Sequence, residues 1–182
     1  MMDADDISHP ERLAKQAAFL RTHPDIALVG AWARFFDENT REVVYHFRPP
    51  STSHDIREAL FLNSCIMHPT WMMRTQALGE CGLYSTSYPA AEDYELLRRI
   101  GKRFDLANLP EFLLEYSLSM SGISLKNRRR QLLDRLRIQG KYFDPSQARA
   151  WLGMARTLAM FAVPRGVVSA YRAAQNLRVQ PS

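Results

Sequence analysis

The chain has 182 residues, of which 46% are hydrophobic and 24% charged, with a formal net charge of +5. That length fits one domain with a tail, and that composition can bury a core, which excludes a disordered polymer. The charge is uneven: residues 1–125 hold 12 Lys/Arg against 17 Asp/Glu, a net of −5, while residues 126–182 hold 12 against two, a net of +10. The expected organisation is therefore an acidic-to-neutral body over 1–124 and a basic helical tail over 125–182.

The first residues are acidic rather than basic-then-apolar, unlike a signal peptide. The longest apolar-leaning run, 151–163, is broken by Gly153, Arg156 and Thr157 and is shorter than the ~20 residues of a spanning helix. Cys65 and Cys81 have no metal-type spacing and read as free thiols of a reducing compartment.

The chain opens on Met2-Asp3-Ala4-Asp5-Asp6-Ile7-Ser8, three carboxylates in four residues. Carboxylate oxygens suit a hard cation such as Mg2+ or Mn2+, and acids at i and i+2 of an extended segment can turn toward one ligand. Equally, acids gather ahead of a helix because its N-terminus favours negative charge. Ser8-His9-Pro10-Glu11 has the form of a capping box, predicting a helix N-capped by Ser8. Leu13, Ala17 and Leu20 recur at helical spacing, and Thr22-His23-Pro24 should end it.

Residues 26–32 form an apolar run of strand length, buried on both faces. A turn follows at Asp37-Glu38-Asn39-Thr40, a strand at 43–47, a short helix at 53–62, a strand at 70–74 and a loop at 79–88. His68-Pro69-Thr70 offers an imidazole to a phosphate or substrate hydroxyl, or a histidine with a structural role. Residues 91–100 read as a helix, with Asp93, Leu96, Leu97 and Ile100 on one side and Glu95 and Arg99 as an i,i+4 pair. A carboxylate beside apolar residues at a helix start could serve as a general base; Glu92 and Asp93 could as well be first-turn acids without chemistry. Residues 104–116 end as a strand. In the tail, Leu132, Leu133, Leu136 and Phe143 are expected to share one helix face, Pro145 to open a second helix that Pro164 ends, and a last helix to run to about Leu177. Alternating strands and helices predict an α/β layered fold. The bases Arg128, Arg129, Arg130, Arg135, Arg137 and Lys141 could face anionic lipid or glycan, or simply solvent. No zinc spacing, Gly-rich phosphate loop or aromatic–basic interleaving supports nucleic-acid binding.

These pieces occur in an order that resembles the second half of family-2 glycosyltransferases with the GT-A fold. The stretches that carry the resemblance are Asp3-Ala4-Asp5-Asp6 through Gln16, His23 through Gly30, His68-Pro69-Thr70-Trp71-Met72-Met73-Arg74, Gly82-Leu83-Tyr84, Ala91-Glu92-Asp93-Tyr94-Glu95-Leu96-Leu97-Arg98-Arg99 and Leu109 through Tyr116. The resemblance covers about residues 1–125. It implies a partial GT-A fold, a mixed sheet with flanking helices, plus a C-terminal helical tail. It implies a DxD motif in which Asp5 is the main contact for Mg2+ or Mn2+, with Asp3 nearer the ribose or the metal of the nucleotide sugar. Asp93 becomes the base that deprotonates the acceptor, with Glu92 beside it, and His68 and Arg99 become acceptor or substrate contacts. The implied reaction is metal-dependent, inverting transfer of one sugar to a glycan or lipid-linked acceptor in cell-surface polysaccharide or glycoconjugate synthesis. Its implied place is the cytoplasm, peripheral to the inner face of the plasma membrane. Two departures stand out: Tyr116 is followed by Ser117 rather than Arg, and the QxxRW motif of processive synthases is absent. The family's nucleotide-binding strands would precede Met1 by roughly a hundred residues, so the expectation is a truncated or mis-started reading of a longer gene, with activity of the chain alone put at risk. The rival reading is a non-catalytic fragment that binds membrane or an acidic partner through its basic tail.

Overall fold

Strand β2, Ile26–Asp37, is the spine of the molecule, because its apolar stretch admits neighbours on both edges and both faces. The computed structural model describes residue 2 and residues 4–38, 40–118 and 128–163. Along one edge β2 runs parallel to β5, Asp105–Leu118, in a ladder from Ile26↔Asp105 to Asp37↔Leu118. Along the other it pairs antiparallel with β3, Val43–Phe47, and β4, Met72–Met73. Strand β1, Ile7–Ser8, pairs antiparallel with β5 through Ile7↔Glu115 and Ser8↔Leu114. The result is a mixed five-stranded sheet in the order β1-β5-β2-β3, with β4 also on β2.

Side chains split between the faces with the period of two that a pleated strand imposes. Leu28 and Leu106 go to one core, where they meet Ile56 and Leu60 after helix α2 (Ser53–Ala59), Leu96, Leu97 and Ile100 of α4 (Glu92–Gly101), and Ile138 and Tyr142 of α5 (Arg128–Lys141) and its end. Val29, Ala31, Ala107, Leu109 and Leu113 go to the other, under Leu20 of α1 (Arg12–Thr22). Helices thus cover both faces, as a parallel pair requires. Gly30 is needed for close approach: a Cβ there would lie 2.2 Å from Ile66 and 2.4 Å from the Asn108 amide. β5 bulges where the ladder passes from Ala31↔Leu109 to Trp32↔Phe112, which leaves Pro110 and Glu111 out of the pairing; proline has no N–H to give to a ladder.

Several expected elements differ. The capping box does not form: Ser8 is held in β1, α1 begins at Arg12, and Glu11 occupies the N-cap without a side-chain cap. The inward face of α1 is Arg12, Gln16 and Leu20, whereas Leu13 is 61% exposed. Hydrogen bonding decides this, since Gln16 Nε2 donates to Val29 O (3.1 Å) and Thr70 O (2.6 Å). The expected strand at 70–74 is a 3₁₀ turn, His68–Thr70, followed by the two residues of β4. The expected loop at 79–88 begins inside α3, Thr75–Cys81, which Gly82 ends at φ 80°, the conformation that favours glycine at a helix C-terminus. Helix α2 is shorter than expected; it starts at Ser53 because the Thr52 hydroxyl accepts from Asp55 N (3.2 Å). In α5 Leu132 and Ile138 are buried but Leu133 is 52% exposed. Helix α6, Ala148–Ala162, follows. Pro164 and the expected helix to Leu177 lie outside the described residues.

Candidate active site

The acidic opening divides its work. Asp6 is buried, and its Oδ1 accepts from Ser117 N (3.2 Å), which ties the opening turn to the end of β5. Asp5, in the turn just before, is exposed. Asp3 lies outside the described residues. Arg12 lies close behind: burial lowers its pKa, while the negative charge of Asp6 works the other way. Its Nη1 donates to Pro69 O and its Nη2 lies 3.9 Å from Met2 Sδ. The acidic turn is thereby joined to the 3₁₀ turn that carries His68.

That turn is itself fixed. Thr70 Oγ1 donates to Met67 O (2.7 Å) and accepts from Ala31 N (3.1 Å). The His68 ring stands edge-on to Trp71, 4.8 Å between centroids, and its Nε2 is 2.8 Å from Tyr84 Oη. Burial raises the Tyr84 pKa, and the negative charges of Asp93 and Glu92 at the start of α4 raise it further.

Ala91, the N-cap of α4, offers no side-chain acceptor, and the Asp93 carboxylate takes the N–H of Tyr94 (2.7 Å). Both Glu92 and Asp93 are half-buried. Their negative charge at the helix start is favoured by the helix dipole. Burial lowers the pKa of Arg135 of α5, and Asp93 is among the charges acting on it.

The deepest carboxylate of α4 is Glu95, 1% exposed. It accepts from Lys141 Nζ (2.7 Å), Tyr142 Oη (2.9 Å) and Arg99 Nη2 (2.7 Å). Burial pushes this carboxyl up, and the three hydrogen bonds together outweigh burial and hold it below the usual carboxylate range. The i,i+4 pair with Arg99 read from the sequence is present. Arg99 in turn donates to Cys81 O and to Leu83 O (2.9 Å), so its guanidinium holds the segment that presents Tyr84. Gly82 allows this closeness: a Cβ there would lie 3.1 Å from Arg99 Nη1.

His68 is therefore joined to Tyr84, on whose phenol the charges of Glu92 and Asp93 act, and Arg99 holds the segment that presents Tyr84; Asp5 lies on the opening turn ahead of Arg12. Tyr84, Glu95 and Arg135 were not singled out as site residues. Tyr84 had a signal, the Gly82-Leu83-Tyr84 turn; for Arg135 no pattern distinguishes it from the other bases of the tail. Asp5 is the one described carboxylate of the opening turn that faces solvent, and among the described residues no group of three or more His, Cys, Asp or Glu is placed to hold a metal. Cys65 is no nucleophile, since burial pushes its thiol up to about 12.

The family model described as "Glycosyl transferase family 2" matches residues 1–82, ending before α4. The amylovoran biosynthesis glycosyltransferase AmsE of Erwinia amylovora is 32% identical over 130 residues, 71% of this chain and 47% of that protein. The O-antigen biosynthesis glycosyltransferase WbnJ of Escherichia coli is 33% identical over 126 residues, 64% of this chain and 46% of its own length. An uncharacterized glycosyltransferase of Methanocaldococcus jannaschii, MJ1057, is 29% identical over 135 residues, 73% and 46% respectively. The chain spans about half the length of the curated relatives it matches. With this match over residues 1–82, these relatives and the mixed sheet between helices, the chain is similar to glycosyltransferases of family 2.

Proposed function

We propose that the chain takes part in transferring a sugar from a nucleotide-sugar donor to a hydroxyl of a glycan or lipid-linked acceptor, in the synthesis of a surface polysaccharide or O-antigen type glycan. The observation that supports this is the His68–Tyr84 hydrogen bond on the turn that Arg12 holds through Pro69 O, with Glu92 and Asp93 near enough for their charge to act on the Tyr84 phenol. The names of the AmsE and WbnJ relatives supply the kind of product.

On this reading Asp93 removes the proton of the acceptor hydroxyl. The acceptor oxygen bonds to the anomeric carbon as the bond from that carbon to the diphosphate oxygen breaks, and the configuration inverts. A base placed in this way contributes about 10²–10⁴ in rate. Tyr84 and His68 orient the acceptor hydroxyl, their mutual hydrogen bond fixing both rings; Glu92 takes a second acceptor hydroxyl. Arg99 and Glu95 position Tyr84 and α4. Asp5, with Asp3, would hold Mg2+ or Mn2+, which when bound neutralises charge on the departing diphosphate. The work belongs at the inner face of the plasma membrane, beside the acceptor.

The test is calorimetric titration of the full chain with UDP and with GDP, in Mn2+ and after chelation. Binding that needs Mn2+ and weakens at least about tenfold in Asp5→Asn is expected, one lost charge contact being worth about 1.4 kcal/mol or more. Equal binding by the variant, or binding indifferent to chelation, would overturn the metal role of Asp5.

A further inference from the structure

Helix α6 is seated with its bulky apolar side outward. Trp151, Leu152, Leu158 and Phe161 are 59%, 57%, 53% and 38% exposed, whereas Ala150, Gly153 and Thr157 are buried. At 100° per residue the outward residues, with Ala155, Ala159 and Ala162 among them, fill an arc of roughly 180°. This seating is required: a Cβ on Gly153 would stand 2.1 Å from Phe61 O, so only the small-residue side fits against the body. Trp151 is also held outward, its Nε1 donating to Pro145 O (3.1 Å) and its ring edge-on to Phe143 at 4.7 Å.

One edge of this face is basic: Arg149 and Arg156 fall together beyond Leu152 at 100° per residue, Arg149 also standing 3.5 Å from Glu58 Oε2, and α6 itself has no Asp or Glu. Both acids of residues 126–182 are engaged within the fold: Asp134 with Arg137 and Ala90 N, Asp144 with Ser146. The apolar arc with Trp, Leu and Phe beside arginines is the composition of a helix that lies in a lipid–water interface. A second copy packed antiparallel across a two-fold axis would bring the same basic edge against itself, like charge against like. Among the described residues no helix is long and apolar enough to cross a membrane, so contact would be from the side.

We propose that the outward face of α6 docks the protein on an anionic lipid surface, with Trp151, Leu152, Leu158 and Phe161 entering the headgroup boundary and Arg149 and Arg156 meeting lipid phosphates. This deepens the location in the preceding reading and not its chemistry; vesicle binding is read without donor or acceptor, so either can fail alone.

The test is flotation of the full chain with vesicles of phosphatidylcholine mixed with phosphatidylglycerol, and with phosphatidylcholine alone. Stronger binding to the anionic vesicles is expected. Leu152→Gln with Leu158→Gln should lower the partition coefficient about tenfold or more at unchanged circular dichroism, and Trp151→Ser should lower it independently. Arg149→Gln with Arg156→Gln should weaken binding at low salt, with the difference fading at high salt. Failure of the parent chain to float, partition unchanged in the Leu and Trp variants, or a dimer in light scattering that the Leu substitutions dissolve would each overturn the proposal.

Discussion

Helices α4 and α6 both carry an apolar side and a polar side, and they are seated opposite ways round. In α4 the apolar side, Leu96, Leu97 and Ile100, is wholly buried, and the polar Glu95 goes in with it. In α6 the bulky apolar side is out and a stripe of Ala150, Gly153 and Thr157 is in. Space and hydrogen bonding explain the contrast. The sheet face under α4 accepts large side chains, and Lys141, Tyr142 and Arg99 compensate the buried charge. The surface under α6 presents the Phe61 carbonyl, where nothing larger than glycine fits. Amphipathicity thus tells which sides a helix has, and the receiving surface decides which side it buries.

The largest effect should come from α4, at Asp93. Its one side-chain hydrogen bond among the described contacts is to the adjacent Tyr94 N–H, so Asp93→Asn should leave the melting temperature in place. Sugar transfer from a panel of nucleotide sugars should fall about 10³-fold, as for loss of a general base. A fall of less than tenfold would remove Asp93 from the chemistry. Glu95→Gln should do the reverse, acting first on stability. Removing one member of a buried charge network costs about 3 kcal/mol, or on the order of 10 °C in melting temperature for a chain of this size. The pH dependence carries a sign that checks the assignment. Glu95 is held below the ordinary carboxylate range, so its contribution is full above the unfolded-state value of about 4.3 and is lost as pH falls through its lower folded value. The parent chain should lose stability on acidification below about pH 4, and Glu95→Gln should lack that component.

Much of this was legible in the residues. The strand at 43–47 and the twice-buried run opening β2 follow from their β-branched and apolar composition, and the helix at 91–100 from the shared side of Leu96, Leu97 and Ile100. Asp93 and Glu92 follow from their place at a helix start. The faces of α1 and α6 were not legible, since Gln16 reaching two carbonyls and Gly153 meeting Phe61 O are facts about partners distant in sequence. The capping box failed for a similar reason: pairing of Ile7 and Ser8 with Leu114 and Glu115 outweighed a local hydrogen bond worth about 1 kcal/mol. The basic tail read as a solvated or anion-facing surface, yet Arg128 caps the end of α6 at Met160 O and Val163 O and Lys141 meets Glu95. Arg129 and Arg130 remain exposed. Charge counting cannot separate such cases.

Two glycines sharpen the comparison at intermediate size. In a helix interior alanine is normally favoured over glycine by about 0.5–1 kcal/mol. Gly140 of α5 has nothing within 4 Å of its would-be Cβ, so Gly140→Ala should stabilise by about that amount. At Gly153 the same change drives a methyl group into a backbone oxygen, and overpacking should reverse the sign and cost about 2 kcal/mol. Urea unfolding of the two variants, compared at constant m-value, separates the cases. Equal stabilisation of both would mean that α6 is not seated on Phe61.

The smallest expected effect is the most discriminating. Leu96 of α4 is 0% exposed and Leu158 of α6 is 53% exposed. Leu96→Ala should cost about 2–5 kcal/mol by lost burial and the cavity left behind. Leu158→Ala should stay within about 0.5 kcal/mol, as surface substitutions do. The two variants have identical chemistry, so the difference in denaturant midpoint reads seating alone. A cost above about 1.5 kcal/mol at Leu158 would mean that the outward face of α6 is covered within the protein in solution, and the opposition between the two helices would then be one of partner and not of side.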